Sequence, residues 1–238
     1  MPTRQLATMN EESFEKLQEQ IQCVLEAETD DFFELAKLAG LDPLTDFSSA
    51  NLSGLNLRAA PLAGANLIGT NLSHAILVSA DLSKANLISA NLTASNLLDA
   101  TMSMATLINA DLSGAYLVST RLLSTNLTGA SLIGVNLDHA DLRRAILTGA
   151  KLDLSSLREA TLSHADLRRA SLTKVDFSGA NLYGADLSHA DLRGASLQDT
   201  KLAGANVEGT RLDGHTGLPR ELLSELKGRG AWVEQGIL

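Results

Sequence analysis

From Thr45 to Gly214 the chain places a large apolar residue at every fifth position. An α-helix repeats its faces every 3.6 residues and a strand every 2, so a period of five suits neither. With Leu82 as the reference, the centres run unbroken from Phe47 to Leu212; of 34, thirty are Leu and the others are Phe47, Met102, Phe177 and Val207. The position two before each centre is Ala 23 times, with Thr, Ser, Val and Leu55 making up the rest, and the position between them is Asn or Asp 19 times. All 13 glycines of this stretch lie two places after a centre. A fixed short period with no insertion is the mark of a repeat architecture.

The pattern Ala-(Asn/Asp)-Leu-x-x resembles the pentapeptide-repeat family. "SGANLYGADLSHADLRGASL" (178–197) carries it over four consecutive units, and the pattern covers about seven-tenths of the chain. The resemblance implies an all-β solenoid, a right-handed quadrilateral parallel β-helix with one pentapeptide per side and four sides per coil. On that fold 34 units make 8.5 coils, a tube about 40 Å long at roughly 4.8 Å per coil. The residue types agree: a narrow square tube needs one large apolar side chain per side and a small one where the wall closes in. Glycine restricted to one phase points to a corner with φ > 0. His74, Asp99, Arg144 and Arg169 share that phase, so the corner does not demand glycine. Pro61, one place before a centre, reads as a turn position whose amide is not needed.

A solenoid exposes its core and its strand edges at both ends, so caps are expected. The chain divides into a helical leader (1–44), the repeat tube (45–214) and a closing segment (215–238). Residues 10–39 predict two helices. The first presents Phe14, Leu17, Ile21, Val24 and Leu25, with Asn10 as N-cap; the second presents Phe32, Phe33, Leu35 and Leu38 and stops at Gly40. Together they plug the tube, or they form an acidic docking module. Short helical leaders of this kind occur on cyanobacterial members of the family. In the closing segment a helix starts at Pro219 as its first residue, shows Leu218, Leu222, Leu223 and Leu226, and ends at Gly228 and Gly230. Ala231, Trp232 and Val233 then add a short strand. Capping is the plain role of this tail, and homodimerisation through an end cap, as in some family members, is the alternative.

Charge and composition refine this picture. Of a net charge of −9, the leader carries −7, with ten acids against Arg4, Lys16 and Lys37, and the repeat region carries −2. Aromatic residues make up 3% of the chain, which fits a tube too narrow for rings. Cys23 is the single cysteine, which excludes an intramolecular disulfide and fits a reducing compartment. The opening "MPTRQLATMN" lacks the apolar stretch of a signal peptide, and no run reaches membrane-spanning length. The expectation is a soluble cytoplasmic protein.

No residue set looks catalytic. His74, His139, His164 and His189 all sit at corners, no cysteine accompanies them, and the glycines belong to the repeat, not to a phosphate loop. The expectation is a non-enzyme with no cofactor, no metal and no small-molecule substrate. Function in a repeat protein lies in its outward positions, where residues 20 apart stack. One place after the centre, one side carries Ile68, Ile88 and Ile108, and the opposite side carries Val78, Leu98 and Val118. These stripes are either β-branched ladder packing or a candidate partner-binding surface. Both lie in a weakly charged half: residues 45–119 hold Arg58 and Lys84 against four aspartates, whereas residues 120–214 hold 11 bases and 11 acids. Arg121, Arg143, Arg144, Arg168 and Arg169 could make a basic corner, but Asp141, Glu159 and Asp166 interleave with them and no aromatic residues accompany them.

Three functional classes remain. The first is a protein-interaction scaffold, a rigid tube offering its surface to an unidentified protein partner. The second follows from the resemblance: some pentapeptide-repeat proteins mimic duplex DNA and modulate a type II topoisomerase such as gyrase. A duplex carries one charge per roughly 1.7 Å, so a 40 Å tube would need about 20 net negatives to match it; the repeat region has two. Ice binding, the third, needs aligned ranks of Thr that the sequence lacks. The reading adopted is the scaffold, with no direct nucleic-acid or membrane binding.

Overall fold

In the computed structural model, which describes residues 11–29 and 31–233, the repeat region winds as a right-handed quadrilateral parallel β-helix. Each side carries one bridging residue, the one before the centre. It pairs in parallel with residues twenty before and after it, as Asn71 does with Asn51 and Asn91. Four sides recur in order, the first beginning at Thr45, the second at Ala50, the third at Leu55 and the fourth at Ala60.

The repeat motif follows from the demands of the backbone donors. In a typical unit the amide of Leu82 donates to Thr101 O in the next coil (2.7 Å) and that of Lys84 to Ser103 O (2.9 Å). The amide of Asp81 donates back to Ala60 O (2.9 Å), and Ala85 closes the corner onto Leu82 O (3.0 Å). One amide of the five is left, that of the residue after the centre. The Asn or Asp two places earlier takes it: Ser83 N–H donates to Asp81 Oδ1 (3.0 Å) and Leu98 N–H to Asn96 Oδ1 (3.1 Å). This Asx bond accounts for the composition of the slot, since a short side-chain carbonyl reaches an amide two residues on. It forms at every Asn and Asp of the slot except Asp46 and Asn66. Where Ser156 and Ser171 stand in the slot, the acceptor comes from the coil before. Asp138 Oδ1 takes Arg158 N–H (3.0 Å) and Asp153 Oδ1 takes Thr173 N–H (3.1 Å).

Every centre is buried, and the Ala slot lines the wall between them. From Thr70 on, Thr in that slot stays buried because its hydroxyl donates to the centre carbonyl of the preceding coil, as Thr120 does to Leu97 O (2.9 Å). Rings are not excluded, contrary to the compositional expectation: Phe177 replaces Leu in the axial stack at 0% exposure. All 34 corners have φ > 0, with non-glycine residues between 53° and 62°. Glycine is therefore not what makes the turn; at several corners it makes room. A Cβ on Gly184 would lie 2.7 Å from His164 Nδ1, which leans up from the preceding coil, whereas one on Gly114 would meet nothing within 4 Å.

Pro61 is not a turn residue. It occupies the bridging slot, paired with Asp81. In later coils that slot donates an amide to the coil before, but Pro61 lies in the first coil, where none is beneath, so the missing donor costs nothing.

Two helices precede the tube, α1 (Glu11–Leu25) and α2 (Phe32–Leu38), and α3 (Arg220–Gly228) follows it. The expected cap of α1 at Asn10 lies outside the described residues. Asp31 caps α2, accepting from Phe33 and Glu34 N–H at 2.9 Å each. Gly40, at φ 71°, ends it with Gly40 N–H to Lys37 O and Leu41 N–H to Ala36 O, both 2.9 Å. Ala36, Phe32 and Phe33 pack on the first coil, and the Phe32 ring lies 5.2 Å from that of Phe47. The described side chains that plug the tube come from α2. The described side chains of α1 are not among those packed on the core, and Ile21 and Leu25 are 50% and 74% exposed. At the far end Pro219 is the N-cap and not the first helical residue. Leu223 and Leu226 of α3 cover the last coil, and Gly230 returns the chain so that Trp232 pairs with Arg211 as a final rung.

Candidate interaction surface

Residues on either side of an inward centre both point outward, so each side of the tube presents two columns two residues apart. The sequence reading followed one column, the residue after the centre; the structure sets the other beside it. On the first side Ile68, Ile88 and Ile108 stand next to Asn66, Asn86 and Thr106, and Ile68 is the most open of the three at 37%. On the third side Val78, Leu98 and Val118 stand next to Ile76, Asn96 and Tyr116. Val78 is buried at 8%, so it supports the patch from beneath, while Tyr116 is 42% exposed. Leu98 and Val118 are half-buried. The third side is thus apolar in both columns apart from Asn96, and the first side in only one. Ile76 and Tyr116 were missed because a lone Ile or Tyr in a column of Asn looks like noise until the neighbouring column is set beside it. The patch ends one coil on at Asp138, whose carboxylate is engaged by the Ser156 hydroxyl (2.5 Å) and Arg158 N–H.

The charged half is organised by pairs within single units. Arg143 reaches Asp141 (2.7 Å), Arg168 reaches Asp166 (2.7 Å) and Arg193 reaches Asp191 (2.5 Å), each Arg two residues after its acid. The same carboxylates accept the Asx amide, so each Asp both closes its corner and holds its arginine. Hydrogen bonding from the arginine holds the carboxyls of Asp141, Asp166 and Asp191 below the usual range, against an opposing push from burial. Arg143 and Arg168 are therefore spent on neighbours, and this part of the charged half is a mixed surface, as the interleaved acids imply. His74, His139, His164 and His189 are exposed at corners, as expected. His139 lies 3.4 Å from Glu159, and the His164 ring meets Tyr183 edge-on at 5.5 Å. Among the described residues no group of three His, Cys, Asp or Glu side chains is placed to hold a metal ion, and no helix is long and apolar enough to cross a membrane.

The sign of the pH dependence follows. A carboxyl whose folded pKa is depressed contributes stability above its unfolded pKa, near 3.9, and loses it as pH falls through the folded value. The combined Asp141→Asn/Asp166→Asn/Asp191→Asn variant keeps all three Asx acceptors and loses three charges. Its melting temperature should stay near the parent's at pH 7, because exposed ion pairs contribute little, and should fall less than the parent's between pH 4 and pH 2. The corresponding triple Ala variant, which leaves three amides without their acceptor, should melt clearly lower at both. Thermal melts followed by circular dichroism across this range check both statements.

A closed coil of four five-residue sides, each with one large inward apolar residue and half of them with an Asx bond, defines the class: a β-solenoid repeat protein. Eight copies of the pentapeptide-repeat family model match the chain, between residues 44 and 214, and the chain belongs to that family. Among solved structures, it is similar to HetL, a pentapeptide-repeat protein involved in heterocyst differentiation regulation from the cyanobacterium Nostoc sp. strain PCC 7120 (32% identity, 88% of this chain and 97% of that one, TM-score 0.37). It is also similar to a pentapeptide-repeat protein from the thylakoid lumen of Arabidopsis thaliana (32% identity, 44% of this chain and 74% of that one, TM-score 0.42). A third likeness is to QnrB1, a plasmid-mediated fluoroquinolone resistance protein (19% identity, 78% of this chain and 91% of that one, TM-score 0.48). Comparison with curated proteins gives no match.

Proposed function

We propose that this protein is a non-enzymatic interaction scaffold whose tube presents the third side, around Leu98, Tyr116 and Val118, to a protein partner. The observation that supports the reading is the pairing of two apolar columns on that side against one on the first side. Three rungs span only about 10 Å and two columns about 7 Å. A stable interface needs about 800 Å² per partner, so Asn96, Asp99 and Ser119 serve as a polar rim around an apolar centre. In this reading residues 1–44 cap and extend the tube, 45–214 present the surface and 215–238 close it, in the cytoplasm, where the exposed Cys23 stays a thiol. Modulation of gyrase is the weaker reading, because the arginines of the charged half sit among their acids and the tube lacks the field of a duplex.

The test compares Leu98→Ser/Tyr116→Asn/Val118→Thr with Ile68→Thr/Ile88→Thr/Ile108→Thr. These residue types already fill the same slots elsewhere, so both variants should fold. In a quantitative pull-down from the native host, the third-side variant should lose at least tenfold of the partner the parent retains, and the first-side variant should not. Retention by both sinks the proposal. Inhibition of purified gyrase by the parent at submicromolar concentration would move the reading to the topoisomerase.

A further inference from the structure

Among the described side chains, those that close the tube belong to α2, and those of α1 are left without a role. Phe32, Phe33 and Ala36 cover the first coil, while Ile21 and Leu25, one turn apart on α1, face solvent. With Val24, Gln20 and Ala39 they line an open, largely apolar groove of about 280 Å³ between α1 and the end of α2. Leu38, Leu41 and Leu44, where α2 runs into the tube, are also exposed, so the apolar surface continues past the groove. A helix with no role beyond steadying α2 would turn these side chains inward and show polar ones to water.

The charge around the groove says what kind of partner it fits. Glu15, Glu19, Glu26, Glu28, Asp31 and Glu34 are exposed on α1, on the connection and on α2. Lys16 and Lys37 are the bases between residues 11 and 44. Such a rim repels nucleic acid and anionic lipid alike. It also opposes a second copy: two leaders at −7 repel each other, and the repeat region offers a net −2. The chemistry that satisfies both features is an amphipathic helix with apolar anchors at i, i+3 and i+4 and Lys or Arg on its flanks. We propose that α1 and the α1–α2 groove form a second docking surface, for a basic amphipathic helix of another protein. With 15 residues, α1 is about 22 Å long, which matches a partner helix of about four turns. Because the leader stands at the end of the tube, its ligand leaves the third side uncovered, and the proposal holds whether or not that side binds anything.

The probe is a fluorescein-labelled synthetic 18-residue helix with Leu on one face and Lys on the other, titrated into the full-length protein by anisotropy. The control is the same peptide with Glu for every Lys. The Lys peptide should bind and the Glu peptide should not. In the Ile21→Ser/Leu25→Ser variant, which keeps every charge, the dissociation constant should rise at least tenfold while the melt of the tube is unchanged. Failure of the Lys peptide to bind the parent overturns the proposal. Equal binding by the parent and the Ser variant also overturns it, because that would be attraction by charge alone. Sedimentation velocity adds a further outcome: a parent dimer that dissociates in the Ser variant means that a second copy occupies the groove, and this too overturns it.

Discussion

Replacing Leu97 or Leu142 with Lys should leave no folded protein, only insoluble or unfolded chain. Both side chains are fully buried in the axial stack, within the apolar core. A buried unpaired charge belongs to the few substitutions that cost about 4–5 kcal/mol or more, a large share of the 5–15 kcal/mol typical of a whole domain. Ser163→Lys, one place after a centre, points the same group into solvent, and its melting temperature should stay within a few degrees of the parent's. The Lys at Leu142 and the Lys at Ser163 lie only one coil apart. Expression, solubility and far-ultraviolet circular dichroism distinguish the outcomes, and equal effects at the two kinds of site would contradict the register.

The second large effect belongs to the amino-terminal end, and here α1 and α2 should separate. Removing residues 1–40 strips Phe32, Phe33 and Ala36 from the first coil, leaving Phe47 and its neighbours facing water beside an open strand edge. The truncated protein should aggregate or associate end to end. Removing only residues 1–29 keeps Asp31, the cap of α2, and the plug itself. That protein should remain soluble, with the melting temperature of the full chain. Size-exclusion chromatography with light scattering reads both. If the shorter truncation aggregates as badly as the longer, α1 is part of the plug after all.

The fold was legible in the sequence because its period is unusual and unbroken, and because each slot obeys a separate physical demand. Inward Leu, wall Ala and corner φ could each be inferred without coordinates. The reason for Asn and Asp could not, because it depends on which amide the ladder leaves over; Pro61 was legible as a position with a dispensable amide, but not as a bridging residue with no coil beneath it. The buried ring of Phe177 shows that the tube tolerates more than its average composition suggests. For the surface the sequence supplied columns but not their neighbours, so Ile76 and Tyr116 stayed invisible beside Val78, Leu98 and Val118. For the leader, helical spacing located α1 and α2 but left open whether their apolar faces plug the tube or dock a partner. Periodicity marks a face without naming what covers it.

Four sides of five residues also make the tube an indexing device. An insertion or loss of twenty residues lengthens or shortens it while every downstream column stays on its own side. A change of five keeps each Leu inward and each Asx bond intact, yet turns everything beyond it by a quarter revolution. A five-residue deletion between Leu98 and Tyr116 would carry Tyr116 and Val118 to the neighbouring side, beneath an unaltered core. The hydrophobic interior cannot sense that shift; only a partner that reads the outside can. The unbroken count from Thr45 to Gly214 therefore fixes the azimuth of every outward side chain relative to the leader, so that surfaces at the two ends of the molecule hold a set angle to each other with no contact between them.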